Sequence, residues 1–404
     1  MVQTWAVLAL SLGYVGLLFL VAYYGDQRAR RRDGRQVAKP IVYSLSLAVY
    51  CTSWTYYGSV GLSAATGYNF LPVYVGPILL FLVAWPLVRR IVLLSKRHNI
   101  TSIADFVAAR HGKSQWLAAA ITVIAVIGIM PYTALQLKAV STSFGVLTQQ
   151  AHGPLSSLLH QPGADAYTEL GISLLLATFA ILFGTRRIEA TEHHDGLILA
   201  IAFESVVKLL AFLLVGAFVT WGMFGGFGDL ASRVDASPAL RHLFRSGGDG
   251  ALWVTITGLA FAAALCLPRQ FHVTIVENAG EGDLRRAAWL FPLYLVVINI
   301  FVVPIAVAGL SMFPTGNVAG DLFVIALPMA AGQNVIALLA FIGGFSAATG
   351  MVIMSCVALS TMVSNDLVMP IVRHGRRLVL AERENIGAII LGIRRAAILA
   401  VMLL

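Results

Sequence analysis

Long apolar runs recur along the whole chain and constrain its fold more than any other feature. A helix needs about 20 apolar residues to cross the ~30 Å hydrocarbon core of a bilayer. Only 12% of the residues are charged and the mean hydropathy is +0.83, whereas a soluble domain is about 25% charged. These values exclude a water-soluble globule, a disordered chain and a disulfide scaffold, and they predict an all-α polytopic membrane protein. The nine predicted spans are 4–24, 41–65, 70–94, 115–147, 168–184, 196–222, 251–268, 287–312 and 322–362.

The last part of the chain departs from this regular pattern. The span 322–362 is too long for one simple crossing, so we expect it to include a lead-in segment or a tilted helix. A further apolar run, 396–404, begins after Arg394 and Arg395 and is too short to cross a bilayer. The sequence is therefore expected to be a fragment that ends within a membrane helix.

Basic residues predict the orientation of the spans, because cytoplasmic loops retain Lys and Arg. With the N-terminus outside, outer loops contain only Arg233, Arg241 and Arg245 of the 28 basic residues. Lys138 and Lys208 fall within spans, and all the others lie in inner loops. The net charge of +9 is therefore explained by basic residues that lie in the inner loops of a membrane protein. The predicted partner is the lipid bilayer, and no nucleic acid is expected.

Polar residues inside apolar spans are the best guide to function, because each costs free energy in hydrocarbon. The densest such segment, 50–59 in the second span, combines hydroxyl groups with glycine. An unwound helix at this point would free backbone carbonyls to bind an ion or a solute. A helix-packing face built from small residues is the alternative. The predicted solute-contacting residues here are Thr52, Ser53, Trp54 and Tyr57.

Two other spans are predicted to contribute to the same solute site. In the fourth span, Pro131 should kink the helix, and Tyr132 and Gln136 share a helical face. A kinked packing helix is the alternative. The seventh span carries Trp253 and Thr257 in a mixture similar to that of the second span. Paired interruptions in two halves of a chain are typical of inverted-repeat transporters.

The sixth span contains two charged residues at depth. Glu204 and Lys208 are four residues apart, in the order that favours a helical ion pair. They are interpreted either as a coupling pair for a proton or a charged solute, or as a structural pair whose members neutralise each other. The segment 191–195 lacks the spaced ligands of a zinc site. No catalytic motif occurs in a valid context, so neither a catalytic site nor a metal site is predicted.

Several of these segments resemble the sodium/solute symporter family. The segment 46–61 is similar to the first core helix of that family. The segment 364–367, at the end of the ninth span, also resembles the family's sequence. More specific are 99–106, 266–273 and 344–351. Together they resemble the branch of the family that forms the N-terminal membrane domain of bacterial sensor histidine kinases, and the resemblance covers essentially the whole chain.

The resemblance implies a LeuT-type five-plus-five inverted repeat with one extra N-terminal helix, truncated in the second repeat. The extra helix would be 4–24, the first repeat 41–222 and the incomplete second repeat 251–404. The second and seventh spans would be its two broken helices.

The resemblance implies that the protein binds and transports a small nutrient such as an amino acid and couples this to two-component signalling. It also implies a bacterial inner-membrane location with the N-terminus periplasmic. A binding-only sensor and a stand-alone ion-coupled transporter are the alternatives. A kinase region and its ATP would lie beyond these residues, and a response regulator would be a partner of the full-length kinase.

The resemblance also implies a cation site, with Na⁺ or H⁺ as the coupling ion and no other cofactor. In the sodium-coupled members, backbone carbonyls of the first broken helix contribute ligands. Alignment on Trp54 places the carbonyls of Ala48 and Cys51 at this position.

The ninth span departs from the family at the same site. Alignment on Asp366 places Gly350 and Met351 where sodium-coupled members carry a pair of hydroxyl groups. Hard cations require oxygen ligands, so this departure predicts that transport is not strictly sodium-dependent. Ser346 and Thr349 are close enough in the sequence to be replacement ligands.

Overall fold

The computed structural model of the chain describes residues 4–30, 39–149, 195–245, 250–313, 318–370 and 392–398, with isolated helical positions at 171, 174, 178 and 181. All the regular secondary structure in these residues is helical. The predicted fifth span, 168–184, lies outside the described residues except for those isolated positions, and so does most of the chain after 370.

Sixteen α-helices with defined bounds occur in the described residues up to 370. They are α1 (Thr4–Arg30), α2 (Pro40–Ser46), α3 (Ser59–Thr66), α4 (Pro72–Leu82), α5 (Trp85–Arg97), α6 (Ile103–Arg110), α7 (Gln115–Gln149), α8 (Asp195–Ala217), α9 (Phe227–Ala236), α10 (Pro238–Arg245), α11 (Gly250–Cys266), α12 (Pro268–Phe271), α13 (Glu281–Asn299), α14 (Val302–Met312), α15 (Phe323–Ala330) and α16 (Asn334–Met362).

Five stretches of helix among the described residues are long and apolar enough to cross a membrane, or up to seven if two bent helix pairs each count as one span. The five are α1, α7, α8 with its π-helical end, α13 with α14, and α16 with its π-helical end. They match the first, fourth, sixth, eighth and ninth predicted spans. Many large apolar side chains on these helices are exposed, which suits a surface that contacts lipid.

The third predicted span is not a single straight helix. Helices α4 and α5 meet at an angle of 68°, because Pro86 in the first turn of α5 has no N–H group with which to continue α4. Helix α5 has buried Val88 and Val92 on one face and basic residues on the others. Such a helix is typical of a membrane interface.

The second predicted span is broken at the expected place. After α2, a 3₁₀ turn (Leu47–Tyr50) leads to Cys51, whose ψ of 100° is extended. The chain then resumes as a π-helix (Trp54–Gly58) that continues into α3. Serine and threonine side chains compete with the helical backbone for hydrogen bonds, which explains why the helix is interrupted in this segment.

The seventh span is also broken, but the expected position of the break was wrong. Helix α11 runs without interruption through Trp253 and Thr257 to Cys266. Leu267 is extended (φ −61°, ψ 130°) because Pro268 follows it and disfavours helical geometry at the preceding residue. The proline, and not the hydroxyl-rich segment, therefore interrupts this span.

The ninth predicted span contains a lead-in helix, as its length predicts. Helix α15 precedes α16, and the two are separated by a turn at Gly332 with φ of 72°. Helix α16 is the most buried of the membrane-crossing helices. It packs against α7 and α8, while α2 packs against α13 and α4 against α11. The two breaks are thus held inside the helix bundle.

Candidate functional site

A lysine side chain occupies the break in the second span. Lys208 extends from α8, where it is buried, and its Nζ donates hydrogen bonds to the carbonyl oxygens of Ala48 and Cys51, each at 2.7 Å. Hydrogen bonds from an ammonium group are among the stronger ones in proteins. The two carbonyls that the family resemblance assigns to a cation therefore already bind a positive charge supplied by the chain.

A sodium ion at these carbonyls would have to compete with the Lys208 ammonium. A hard cation needs several oxygen ligands, and the two expected here point to the Lys208 ammonium. A second positive charge at this point would be repelled by the first. The carbonyls of Ala48 and Cys51, which were predicted as ion ligands, accept hydrogen bonds from Lys208 in the structure.

The carboxylate of Glu204 is held by α16. Thr349 Oγ1 donates to Glu204 Oε1 at 2.5 Å, and Ser346 Oγ donates to the Glu204 carbonyl at 2.9 Å. Tyr14 of α1 donates to Ser346 Oγ at 2.8 Å. A Cβ atom at Gly350 would lie 2.5 Å from Glu204 Oε2, so the glycine makes room for the carboxylate. The expected replacement ligands Ser346 and Thr349 thus bind a carboxyl side chain and its backbone.

Glu204 and Lys208 do not form the direct ion pair that their spacing predicts. No salt bridge joins them, although both side chains are described and buried. The ammonium extends to the broken helix, whereas the carboxylate extends to the hydroxyl of Thr349. Each charge therefore has its own partners, and together they connect α8 to the break and to α16.

The fourth span meets the break at the two residues that were predicted to face it. Tyr132 OH and Thr52 Oγ1 are 2.9 Å apart. Gln136 Oε1 accepts hydrogen bonds from both the backbone N–H and the Oγ of Ser53, at 2.9 and 2.6 Å. Gln136 therefore satisfies a backbone donor that the interruption of the helix leaves without a helical acceptor.

A cavity of about 400 Å³ lies beside the break. Trp54 and Tyr132 line it, together with Arg269 and apolar residues of α4, α7 and α11. Trp54 is also stacked on Tyr74, with ring centroids 6.5 Å apart. The cavity thus combines aromatic and apolar walls with one cationic group, a composition typical of small-molecule sites.

Of the eight predicted solute contacts, only Trp54 and Tyr132 line the cavity. Thr52, Ser53 and Gln136 form hydrogen bonds at the break, and the other three pack elsewhere. The ring of Tyr57 packs edge-on against Tyr56 and against Gly344, where a Cβ atom would clash with it. Trp253 Nε1 donates to Asn69 Oδ1 at 2.8 Å, and the Thr257 backbone packs against α4. Neither Trp253 nor Thr257 is among the residues that line the cavity, although Ile256 and Leu259 of the same helix are.

Arg269 is the functional candidate that sequence reasoning missed. It was counted among the basic residues of an inner loop, but its side chain is only 2% exposed and lines the cavity. Its guanidinium carbon lies 5.1 Å from the centroid of the Tyr132 ring. The signal in the sequence was Pro268, which marks the second break and places the next residue at the cavity.

Two of the segments that carry the family resemblance meet at the C-terminal end of α16. Ser102 caps α6 by accepting a hydrogen bond from the Asp105 backbone at 3.0 Å. Asp366 Oδ2 accepts from Ser102 Oγ at 3.4 Å and from Thr122 Oγ1 at 3.3 Å. Burial raises the pKa of Asp105 above its ordinary value. This cluster joins α6 and α7 to the end of α16.

Comparison with solved structures supports the fold. A Na⁺-coupled sialic acid symporter, solved in a substrate-bound outward-open state, matches the chain with a TM-score of 0.66 and 15% sequence identity. The match covers 98% of this chain and 78% of the symporter. At this identity the similarity establishes a polytopic all-α membrane fold. No protein-family model matches the sequence, and no curated protein matches it.

Proposed function

We propose that the chain is a membrane transport module that carries a small organic solute through a site at the break of the second span. The observation that carries this proposal is the cavity of about 400 Å³ beside the interrupted helix. Non-helical backbone at membrane depth is tolerated where it lines a cavity, and solute sites of transporters lie at such interruptions. The similarity of fold to a symporter supports the same function.

The proposed transport is independent of sodium at the break, although the structural neighbour is Na⁺-coupled. The Lys208 ammonium already supplies a positive charge to the Ala48 and Cys51 carbonyls at 2.7 Å. A fixed cation at this point binds the free carbonyls at the end of the first half of the broken helix without a bound ion.

Uptake measurements test the transport proposal. Membrane vesicles that contain the full chain are offered a panel of ¹⁴C-labelled amino acids and organic acids. We expect at least one solute to accumulate, and Trp54→Ala to reduce its uptake about tenfold or more, because it removes an aromatic wall of the cavity. Trp116→Ala, at an exposed tryptophan, is the matched control and should leave uptake unchanged.

Replacing sodium by choline in the same assay should not change the uptake. Uptake that disappears in choline would contradict the role of Lys208. Solutes that stabilise the protein without crossing the membrane would favour the binding-only sensor instead.

We also propose, from the sequence resemblance, that the module acts with a sensor histidine kinase in a bacterial inner membrane, with its N-terminus periplasmic. The supporting segments are 99–106, 266–273 and 344–351. They lie at the cluster around Asp105 and Asp366, at the second break and along α16, respectively. Solute occupancy would then alter phosphotransfer to a response regulator. The test measures response-regulator phosphorylation in cells, with and without the transported solute. If Trp54→Ala leaves this phosphorylation unchanged in both conditions, the coupling is contradicted.

A further inference from the structure

We propose that the cavity takes a solute with a carboxylate group and that Arg269 binds this group. The inference rests on the proposed function and specifies its substrate class. It starts from the state of the Arg269 side chain, which is buried beside the second break.

The guanidinium has unused hydrogen-bonding capacity. Arg269 Nε and Nη1 are buried and have no hydrogen-bond partner among the described residues. No described carboxylate forms a salt bridge with Arg269 either. Tyr132 contacts the guanidinium, but it carries no negative charge at neutral pH, whereas a structural arginine in a protein interior is normally paired with an acid. These two donors are available to a group that the solute supplies.

The second break places Arg269 in the wall of the cavity. Leu267 is extended and Pro268 begins the next helical turn, which fixes the backbone of Arg269. The Tyr132 ring lies against the guanidinium, at 5.1 Å from its carbon to the ring centroid. Tyr132 OH in turn pairs with Thr52 Oγ1. The cation is thus held between the two broken helices, where a solute would contact both.

The remaining walls indicate what the rest of the solute is like. Trp54, Ile129 and Leu259 are among the apolar residues that line the cavity, and no acidic residue is among the described residues that line it. An ammonium group on the solute would have no carboxylate to pair with there. A planar guanidinium binds a carboxylate through two parallel hydrogen bonds. The site therefore favours a monocarboxylate with an apolar body over an amino acid.

Matched acids and amides test the inference directly. The full chain is reconstituted in nanodiscs, and affinities are measured from ligand-induced thermal stabilisation. The probes are 4-methylvalerate with 4-methylvaleramide, phenylacetate with phenylacetamide, and leucine with leucinamide. We expect the acid of at least one pair to bind about tenfold or more tightly than its amide, since hydrogen bonds to charged groups contribute more than neutral ones. 4-Methylvalerate should bind more tightly than leucine.

Variants of the arginine identify its role. Arg269→Gln should abolish the preference for the acid while the affinity for the amide stays within about twofold. Arg269→Lys keeps the charge but loses the two-pronged geometry, so it should keep part of the preference even if the glutamine variant folds poorly. Arg286→Gln, at an exposed arginine of α13, is the matched control and should change nothing.

The outcomes separate this inference from the transport proposal. Equal affinities for acids and amides, a preference that survives Arg269→Gln, or a failure of every acid to stabilise the protein would overturn the carboxylate inference. If any of these results is obtained but solute uptake still depends on Trp54, the carboxylate inference is wrong and the transport proposal remains supported. Tighter binding of leucine than of 4-methylvalerate, with dependence on Arg269, supports the carboxylate contact and identifies the solute as an amino acid.

Discussion

Replacing Lys208 by methionine tests the central feature of the site. The change removes two charge-assisted hydrogen bonds, to the carbonyls of Ala48 and Cys51. Each such bond contributes about 1.5–3 kcal/mol in soluble proteins, while hydrogen bonds in a membrane bundle average about 0.6 kcal/mol. The change also leaves the buried Glu204 without the nearby positive charge. We therefore expect a loss of stability of about 2–4 kcal/mol.

The assay is the melting temperature of the purified full chain in detergent, with sodium or choline at equal ionic strength. Wild-type protein should melt at the same temperature in both salts, because the ammonium already occupies the carbonyls. Lys208→Ala removes the ammonium, but the two carbonyls alone are too few oxygen ligands for sodium. This variant should therefore lose stability and melt at the same temperature in both salts. Lys138→Met, at an exposed lysine of α7, is the control for the loss of charge.

Two results would refute this reasoning. The first is a wild-type melting temperature that rises in sodium but not in choline, because a cation would then bind despite the lysine. The second is a Lys208→Met variant as stable as the Lys138→Met control, because the two hydrogen bonds would then contribute nothing measurable.

Three further predictions concern other parts of the bundle. Gly350→Ala should destabilise the protein by about 1–3 kcal/mol, as overpacking does, because its Cβ would lie 2.5 Å from the Glu204 carboxylate. Gly258→Ala is the control: its Cβ would have nothing within 4 Å, so it should be neutral or slightly stabilising. Equal melting temperatures of the two variants would contradict the packing around Gly350. Gln136→Leu should cost about 1–3 kcal/mol in ligand-free protein, since it leaves a backbone N–H of the break unpaired; an unchanged melting temperature would show that water replaces the amide. Gln3→Cys should react with an impermeant maleimide when only the outer membrane is permeabilised, and protection from the reagent would place the N-terminus in the cytoplasm.

The membrane spans and the first break follow from the sequence because they are local properties. A run of about 20 apolar residues spans a bilayer whatever its neighbours are. The hydroxyl-rich segment of the second span weakens its own helix, and the structure interrupts the helix at Cys51. The lead-in helix α15 was likewise predictable from the length of one run. The second break was also present in the sequence, at Pro268, although the hydroxyl groups around Thr257 suggested another position.

The tertiary structure alone decided which groups meet. Lys208 and its acceptor Ala48 are 160 residues apart. No local pattern indicates that the lysine binds the broken helix and not Glu204, which lies one turn away. The same holds for Gly350, whose missing side chain accommodates a carboxylate from another helix. A charged side chain inside a membrane takes the partner that best replaces water. Which partner lies within reach depends on how the helices pack, because the distances between distant segments are set only when the bundle is assembled.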